Sequence, residues 1–352
     1  MRLSRPRNRL LLQVAAPLVV LGLALTGCGG EPKRPAASPS PSAPPKPDHE
    51  PLTGVQLPLG TSAATKHPVY IVKIDNTAQS DPQAGIGSAD LVVQELVEGG
   101  ITRLAVMYYS QLPQSAGPVR SMRATDAGIA APTGAKIITS GAAPYTIAEL
   151  KKSHVQWLDM STPYAVREPG GPYDYLHSVV GKVAKAAADS ERKWKGAPKR
   201  PADFMPWGPA TPIAGKPANE VAVRFSAART DDWLFRGGKY HLTNSHMAKK
   251  STFVADTVVV AQVTTSIAPY LDPGGSQVPV SHFTGQGKAW IMHNGKIEQV
   301  LWHKNGEAGA VTFTDAAGRP IRIPAGKLWL DLIPAGNRTV APGSVSVTKP
   351  AT

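Results

Sequence analysis

The sequence predicts an α+β protein, a mixed α/β N-terminal domain over residues 53–199 followed by a mainly β C-terminal domain over 200–336. Three observations carry this reading. Strand-like and helix-like runs are interleaved in the first segment. The second is a string of short apolar runs, EVAVRF, KYHLTN, TVVVAQV, AWIMH, KIEQVLW, AVTFT and LWLDLIP, separated by Gly, Pro and Asn-Gly turns. Beyond a Pro-rich stretch lie about 300 residues, too many for one small core and suited to two domains.

The chain opens with MRLSRPRNR, four arginines and no acid, and continues into the apolar run Leu10 to Leu25. These are the charged and apolar regions of an export signal over residues 1–27. The run is shorter than the roughly 20 residues a spanning helix needs, and Gln13 and Pro17 interrupt it. It ends in Leu25-Thr26-Gly27-Cys28, a lipobox in which a cysteine thiol receives diacylglycerol. Cys28 is the single cysteine of the chain, so no internal disulfide competes for it. Two acyl chains, with palmitate-type tails, would hold the mature chain on the outer face of the cell membrane far more firmly than one.

Residues 28–52, rich in Pro, Ser and Ala, read as a stiff, partly polyproline tether. The formal charge is +13, of which the four leader arginines account for four; the tether is neutral, so +9 sits on the globular part. Outside a cell such a charge meets phospholipid heads and phosphate-bearing wall polymers, and no nucleic acid is expected. Solubility is the plainer use of the same charge.

In the first domain, VYIVKID (Val69 to Asp75) reads as a strand ending at Asp75-Asn76, a position where binding groups are often placed. DLVVQELVEGGITRLAVMYY reads as a hairpin turning at Gly99-Gly100, with Glu98 opposite Ile101 and Leu96 opposite Arg103. In that register Leu91, Val93, Glu95, Val97, Thr102, Leu104, Val106 and Tyr108 share one face. Glu95 is the odd member. A carboxylate on an apolar face needs a cation, donors or a proton, so Glu95 is either the partner of an arginine or a site acid.

GPVRSMRATD follows at Gly117 to Asp126. Pro118 suits the first position of a helix, which would set Arg120 and Arg123 three residues apart on one face. Cations there oppose the helix dipole by roughly 0.3 to 1 kcal/mol each, so something should compensate. Arg120, Ser121 and Arg123 with the free first-turn amides would suit a phosphate or carboxylate. The alternative is that Glu95, Glu98 or Asp126 supplies the anion within a salt-bridge network.

VKIDN, PQAGIGSADLVVQELVEGGITR and GPVRSMRATD together resemble the N-terminal domain of the YerB-like lipoproteins, the domain of unknown function 3048. VVVAQV, GQGKAWIMHNGKIEQVLW and TFTDAAGRPIRIPAGKLWLDLIP resemble its C-terminal companion. The resemblance spans nearly the whole chain after the tether. It implies polar positions at Asp75, Asn76, Gln83, Asp90, Glu95, Glu98, Arg103, Arg120, Ser121, Arg123 and Asp126, and no established activity. One departure stands out. Where the family pattern has Arg followed by a Pro-His-Asn-type segment, this chain has Arg167 and then Pro172-Tyr173-Asp174, with His177 the available replacement.

In the C-terminal domain Asn294-Gly295 is the strongest hairpin signal. Trp290, Trp302 and Trp329 alternate with apolar residues, which fits a core better than a sugar-binding surface. Residues 337–352 read as a flexible tail. HExxH, GxSxG, Walker A and CxxC are missing from the sequence. Ser190 to Lys193 and Ser346 to Lys349 match Ser-x-x-Lys without its companion motifs. His241, His246, His293 and His303 lack metal-ligand spacing, so no metal or cofactor is expected.

Two functions remain open. The first is a noncatalytic binding or scaffold lipoprotein of the envelope, recognising an anionic wall component or another envelope protein. The second is an envelope enzyme acting on a glycan or phosphorylated lipid-linked substrate. In that reading Asp75, Glu95, Glu98, Arg103 and Asp126 supply acid, base or ion-pair partners, and Arg120 and Arg123 clamp the anion.

Overall fold

A computed structural model describes residues 47–209 and 215–349. The leader, Cys28 and most of the tether lie outside the described residues, as does the segment 210–214. Among the described residues no helix is long and apolar enough to cross a membrane.

In chain order, β1 (Tyr70–Asp75), β2 (Leu91–Leu96) and β3 (Thr102–Tyr108) lead to α1 (Asp126–Ala130), β4 (Lys136–Ile138), α2 (Pro144–Lys152) and β5 (Gln156–Leu158). The hairpin β6 (Ala165–Arg167) and β7 (Val179–Gly181) precedes α3 (Val183–Lys193). Strands follow: β8 (Lys216–Pro217), β9 (Glu220–Arg224), β10 (Thr230–Arg236), β11 (Lys239–Leu242), β12 (Thr257–Leu271) and β13 (Gln277–His282). The chain ends with β14 (Gly285–His293), β15 (Lys296–Lys304), β16 (Val311–Thr314), β17 (Pro320–Ile321), β18 (Leu328–Pro334) and β19 (Ser344–Lys349). The predicted α+β class stands, with three α-helices among the described residues and a mainly β C-terminal region.

One large sheet runs β17-β16-β15-β14-β12-β18-β2-β3-β1-β4-β5. Both halves of the chain build it, because β18 lies parallel to β12 on one side and to β2 on the other. Strand residues alternate between faces, so each face buries its own apolar set. Ile71, Leu91, Val93, Ala105 and Met107 pack with Ile129 of α1 and Leu150 of α2. Val72, Ile74, Val92, Leu104 and Val106 pack with Val183 of α3 and with Val223 and Trp233. The last two belong to a smaller sheet, β11-β10-β9-β19. Removing such a side chain from water contributes about 1.5 to 3 kcal/mol, and the two faces together make β1, β2 and β3 the most buried strands of the N-terminal region.

The β2–β3 hairpin departs from the expected register by one residue. Leu96 lies opposite Thr102 and Glu95 opposite Arg103, while the Val97 amide donates to the Ile101 carbonyl. The turn therefore holds three residues, Glu98 to Gly100, with Gly99 and Gly100 at φ 69° and 74°. A two-glycine turn satisfies either loop length. The slip moves Thr102, Leu104, Val106 and Tyr108 to the opposite face and brings Arg103 beside Glu95.

No helix starts at Pro118. Instead 116–120 runs as an extended segment whose backbone bonds to other strands: the Val119 amide donates to the Val179 carbonyl and the Arg120 amide to the Lys73 carbonyl. Helix α1 begins at Asp126. Arg120 and Arg123 thus occupy no first turn of a helix, and the expected pairing of first-turn amides with both guanidiniums is absent.

The end of the predicted tether and the predicted tail also carry structure. Leu52 is buried, His49 bonds Asp203, and β19 pairs with β9. At Asn294-Gly295 the expected tight hairpin forms, both residues at positive φ and His293 opposite Lys296. Trp302 and Trp329 are core residues, whereas Trp290 is only partly buried.

Candidate functional site

The strand pleat sets Lys73 and Asp75 of β1, Glu95 of β2 and Arg103 of β3 on one face, with Asp75 and Glu95 both in register with Arg103. The segment from Arg120 to Asp126 crosses this face and completes a polar cluster of three groups. The innermost group centres on Lys73, whose Nζ lies 2.5 Å from Glu95 Oε1 and 2.7 Å from Asp126 Oδ1, all three side chains fully buried. Asp126 also accepts the Arg123 amide at 2.7 Å. Burial, opposed by Lys73 and reinforced by the charge on Glu95, pushes the Asp126 carboxyl up to about 6.

In the middle group a single carboxylate serves two guanidiniums. Glu98 accepts Arg123 Nε at 2.9 Å and Arg123 Nη2 in a forked pair, and Arg103 Nη2 at 3.2 Å. Burial raises the Glu98 carboxyl, yet Arg103 and Arg123 together outweigh it and hold it at about 2. Burial and the neighbouring Arg123 lower Arg103. Arg123 rises despite its burial because of Glu98. Arg103 Nη1 donates to the Ser121 carbonyl at 3.0 Å, while its buried Nε has no hydrogen-bond partner.

The outermost group lies at the end of β1. Asp75 Oδ2 is 3.0 Å from Arg120 Nε, and Oδ1 accepts the Thr77 amide at 2.8 Å and hydroxyl at 2.6 Å. His177 Nε2 stands 3.7 Å from Asp75 Oδ2, and its Nδ1 meets Asp174 at 2.8 Å. The histidine that follows the family's departing segment therefore reaches the cluster. Arg167 does not; it packs over the Tyr175 ring.

The predicted site residues Asp75, Glu95, Glu98, Arg103, Arg120, Ser121, Arg123 and Asp126 are brought together, with Glu98 supplying the anion to Arg123 as the salt-bridge alternative expects and Glu95 paired elsewhere. Glu95 belongs to Lys73 rather than to an arginine, and Glu98 joins Arg103 to Arg123. Asn76 and Gln83 sit on the reverse face, where Asn76 Nδ2 donates to Thr102 Oγ1 and Gln83 Nε2 to Asn76 Oδ1. Asp90 lies at the far end of β2, accepting the Tyr109 and Ser110 amides. Lys73 was missed. The signal was present, since residues 69, 71 and 73 share a face and a lysine following Val69 and Ile71 there needs an acid as much as Glu95 needs a base.

Beside the cluster opens a cleft of about 790 Å³ lined by Ser121, Arg123, Ser140, Tyr145, Tyr270 and Asp272 among others. One wall is the 121–123 segment with the loop from β4 into α2; the other is the tip of the β12–β13 hairpin. A larger groove of about 930 Å³ lies at the opposite end of β1, among His67, Tyr70, Lys136, His154, Lys193 and Trp194. None of the cluster residues lines it. Among the described residues no group of three His, Cys, Asp or Glu side chains is placed to hold a metal ion.

The mixed sheet, with an α-covered N-terminal region and a β-rich C-terminal region, defines a bipartite α+β class. Residues 52–193 match the family described as "Protein of unknown function (DUF3048) N-terminal domain", and residues 221–330 match its C-terminal domain. The chain carries both domains and belongs to this YerB-like family. "Putative lipoprotein YerB" of Bacillus subtilis (strain 168) is 40% identical over 73 residues, which spans about a fifth of each chain, 21% of either. The crystal structure of the YerB protein from Bacillus subtilis superposes with a TM-score of 0.65 at 16% identity, covering 85% of this chain and 99% of that one. At that identity the likeness is one of fold.

Proposed function

We propose that this chain is a membrane-anchored lipoprotein on the extracytoplasmic face, with a noncatalytic role in holding an anionic wall component or a protein partner. The observation that carries the noncatalytic reading is the closure of the charge cluster. Lys73, Arg103, Arg120 and Arg123 are matched by Glu95, Glu98, Asp75 and Asp126, every carboxylate with a cation at 3.0 Å or less. Asp75, Glu95 and Asp126 are also sealed, at 3% or less side-chain exposure. An acid or base must reach its substrate, and these three carboxylates are enclosed by protein, Asp75 with His177 3.7 Å away as well as Arg120. The cluster reads as a rigid support for the surface above it.

The anchoring rests on the lipobox at Cys28 and on kinship with a protein named as a putative lipoprotein. Two measurements test the proposal. Cys28→Ala is expected to abolish incorporation of labelled lipid and leave an unprocessed precursor; mature, lipid-labelled variant protein would overturn the anchor. The full chain is expected to sediment with purified wall sacculi in a salt-sensitive way. Release of soluble sugar or phosphate from those sacculi would favour the enzyme reading instead.

A further inference from the structure

We infer that the cleft between the β4–α2 loop and the β12–β13 hairpin binds an acidic sugar, a ring bearing one carboxylate or phosphate. The inference rests on the envelope-binding reading above and names the chemistry its site would take. Three features point to it.

The cleft has the size of a small-molecule site, 790 Å³ within the usual range of roughly 300 to 1,000 Å³, and it lies where the two family-matched regions of the chain meet. Its aromatic side is Tyr145 and Tyr270, ring centres 6.1 Å apart and inclined by 46°. Both rings pack on one side against Ala124, Ala268, Val278 and Val280 and give the cleft apolar surface suited to the CH groups of a sugar, with the Tyr270 hydroxyl fixed by Thr146 Oγ1 at 3.3 Å. Its polar side supplies both donors and an acceptor. The Ser121 and Ser140 hydroxyls, 3.5 Å apart, can donate or accept. Asp272, one oxygen of which takes the Ser276 amide at 2.6 Å, can accept from sugar hydroxyls.

The charge is what makes the sugar acidic. Arg103 and Arg123 share Glu98, so this group carries one positive charge more than it has carboxylates to offset. The compensating negative excess is on Lys73 with Glu95 and Asp126, whose side chains are fully buried. Arg123 lines the cleft and those three do not. Arg123 Nε and Nη2 stay on Glu98 and its Nη1 on the Met122 carbonyl, so it acts on the cleft by its charge. An anion seated against the 121–123 wall meets the positive end of a cluster that is neutral as a whole, while Asp272 on the facing hairpin keeps the anion to that side and takes the hydroxyls.

The test titrates the full chain with N-acetylmuramic acid, which carries a carboxylate, N-acetylglucosamine 1-phosphate, which carries a phosphate, and neutral N-acetylglucosamine. Binding is read by calorimetry and by chemical-shift changes. At least one acidic sugar is expected to bind saturably and at least tenfold more tightly than the neutral one; which of the two does so identifies the source of the anion. Tyr270→Ala, which removes an aromatic face, and Ser140→Asp, which places a negative charge in the cleft, are each expected to weaken that binding at least tenfold with an unchanged circular dichroism spectrum. If Tyr270→Ala proves unfolded, Ser140→Asp decides alone. Equal affinity for the neutral sugar, no saturable binding of either acid, or unaltered binding by folded variants would overturn the assignment. Sacculus binding that survives in Ser140→Asp would remove the cleft and leave the holding role intact, whereas a wild-type chain that binds no sacculi would remove the role itself.

Discussion

Gln94 and Glu95 are neighbours in β2, and the two faces of the sheet on which they lie handle buried charge in opposite ways. On the Glu95 face, every carboxylate has a cation. On the Gln94 face, Asp231 and Asp331 are both fully buried, and the cation there is Arg229, whose Nε pairs with Asp231. Gln94 Nε2 lies 3.4 Å from that carboxylate, and Asp331, in register with Gln94, accepts the Trp329 indole N–H at 2.8 Å. Burial raises both acids, and the charge of Asp231 lifts Asp331 further, well above the ordinary range. A dry carboxylate needs either a counter-charge or a proton. The first face answers each carboxylate with a cation, whereas the second gives Asp231 a cation and leaves Asp331 to a proton, so Glu95 and Asp331 respond differently to mutation and to pH.

The contrast is broken most severely at Lys73. Lys73→Met removes the cation shared by two carboxylates, and stranding a buried charge costs roughly 3 to 5 kcal/mol. The variant is expected to sit at the upper end of that range in urea unfolding, with Glu95→Gln recovering some of the loss. An effect below about 1 kcal/mol, the level of an exposed ion pair, would show that the cluster is hydrated and not dry.

Glu98→Gln comes next, at about 3 kcal/mol, because it leaves two guanidiniums facing each other. Here pH sharpens the test. The Glu98 carboxyl titrates near 4.5 unfolded and at about 2 folded. A depressed folded pKa contributes stability that is fully present above the unfolded value and lost as pH falls through the folded one. The gap between wild type and Glu98→Gln is therefore expected to close as pH falls from 4.5 to about 2. A constant gap would mean that Glu98 acts by shape and not by charge.

How much of this was legible in the sequence depends on the range of the interaction. The strands, the Asn294-Gly295 turn and the anomaly of Glu95 are local features, and alternation or turn chemistry reveals them. The hairpin slip was hidden because Gly99-Gly100 fits two loop lengths equally well. The helix expected at Pro118 failed for a different reason. Its start signal is real, but the Val179 and Lys73 carbonyls capture the backbone from strands distant in sequence. The insertion of β18 beside β2, which creates the Asp331 face, has no local signature at all. Thus the acids and arginines of the cluster could be read and Glu98 named among the anions for Arg123, while Lys73 and the remaining pairings could not, since pairing is decided by register and by which strand lies next.

Asp331→Asn tests the proton-using face and runs in the opposite direction. A carboxyl with a raised folded pKa penalises the native state once pH exceeds its unfolded value near 3.8, so wild-type stability falls as pH rises from there. The amide cannot titrate and still accepts from Trp329. It is expected to be neutral at about pH 4 and increasingly stabilising relative to wild type as pH rises toward about 7. A variant less stable than wild type at neutral pH would mean that Asp331 is ionised and needed as an anion.

The smallest effect is expected at Arg120, and it separates two arginines that look equivalent in the sequence. The Arg120 side chain is 31% exposed and makes its ion pair with Asp75 alone, and Asp75 keeps both Thr77 donors when the guanidinium is removed. Arg120→Ala should therefore cost about 1 kcal/mol or less, the range of a partly exposed pair. Arg123→Ala should cost several times more, because it strips the forked partner from a mostly buried Glu98. Glu95→Gln should rescue neither, since the carboxylate of Glu95 is held by Lys73; beside Arg120→Ala its effect should add within about 0.5 kcal/mol, as for groups that share no partner. Thermal and urea unfolding of the two single variants and their combinations with Glu95→Gln measure all three statements. Equal losses at Arg120 and Arg123, both relieved by the glutamine, would show that the two arginines share Glu95 and that the division of the cluster into three groups is wrong.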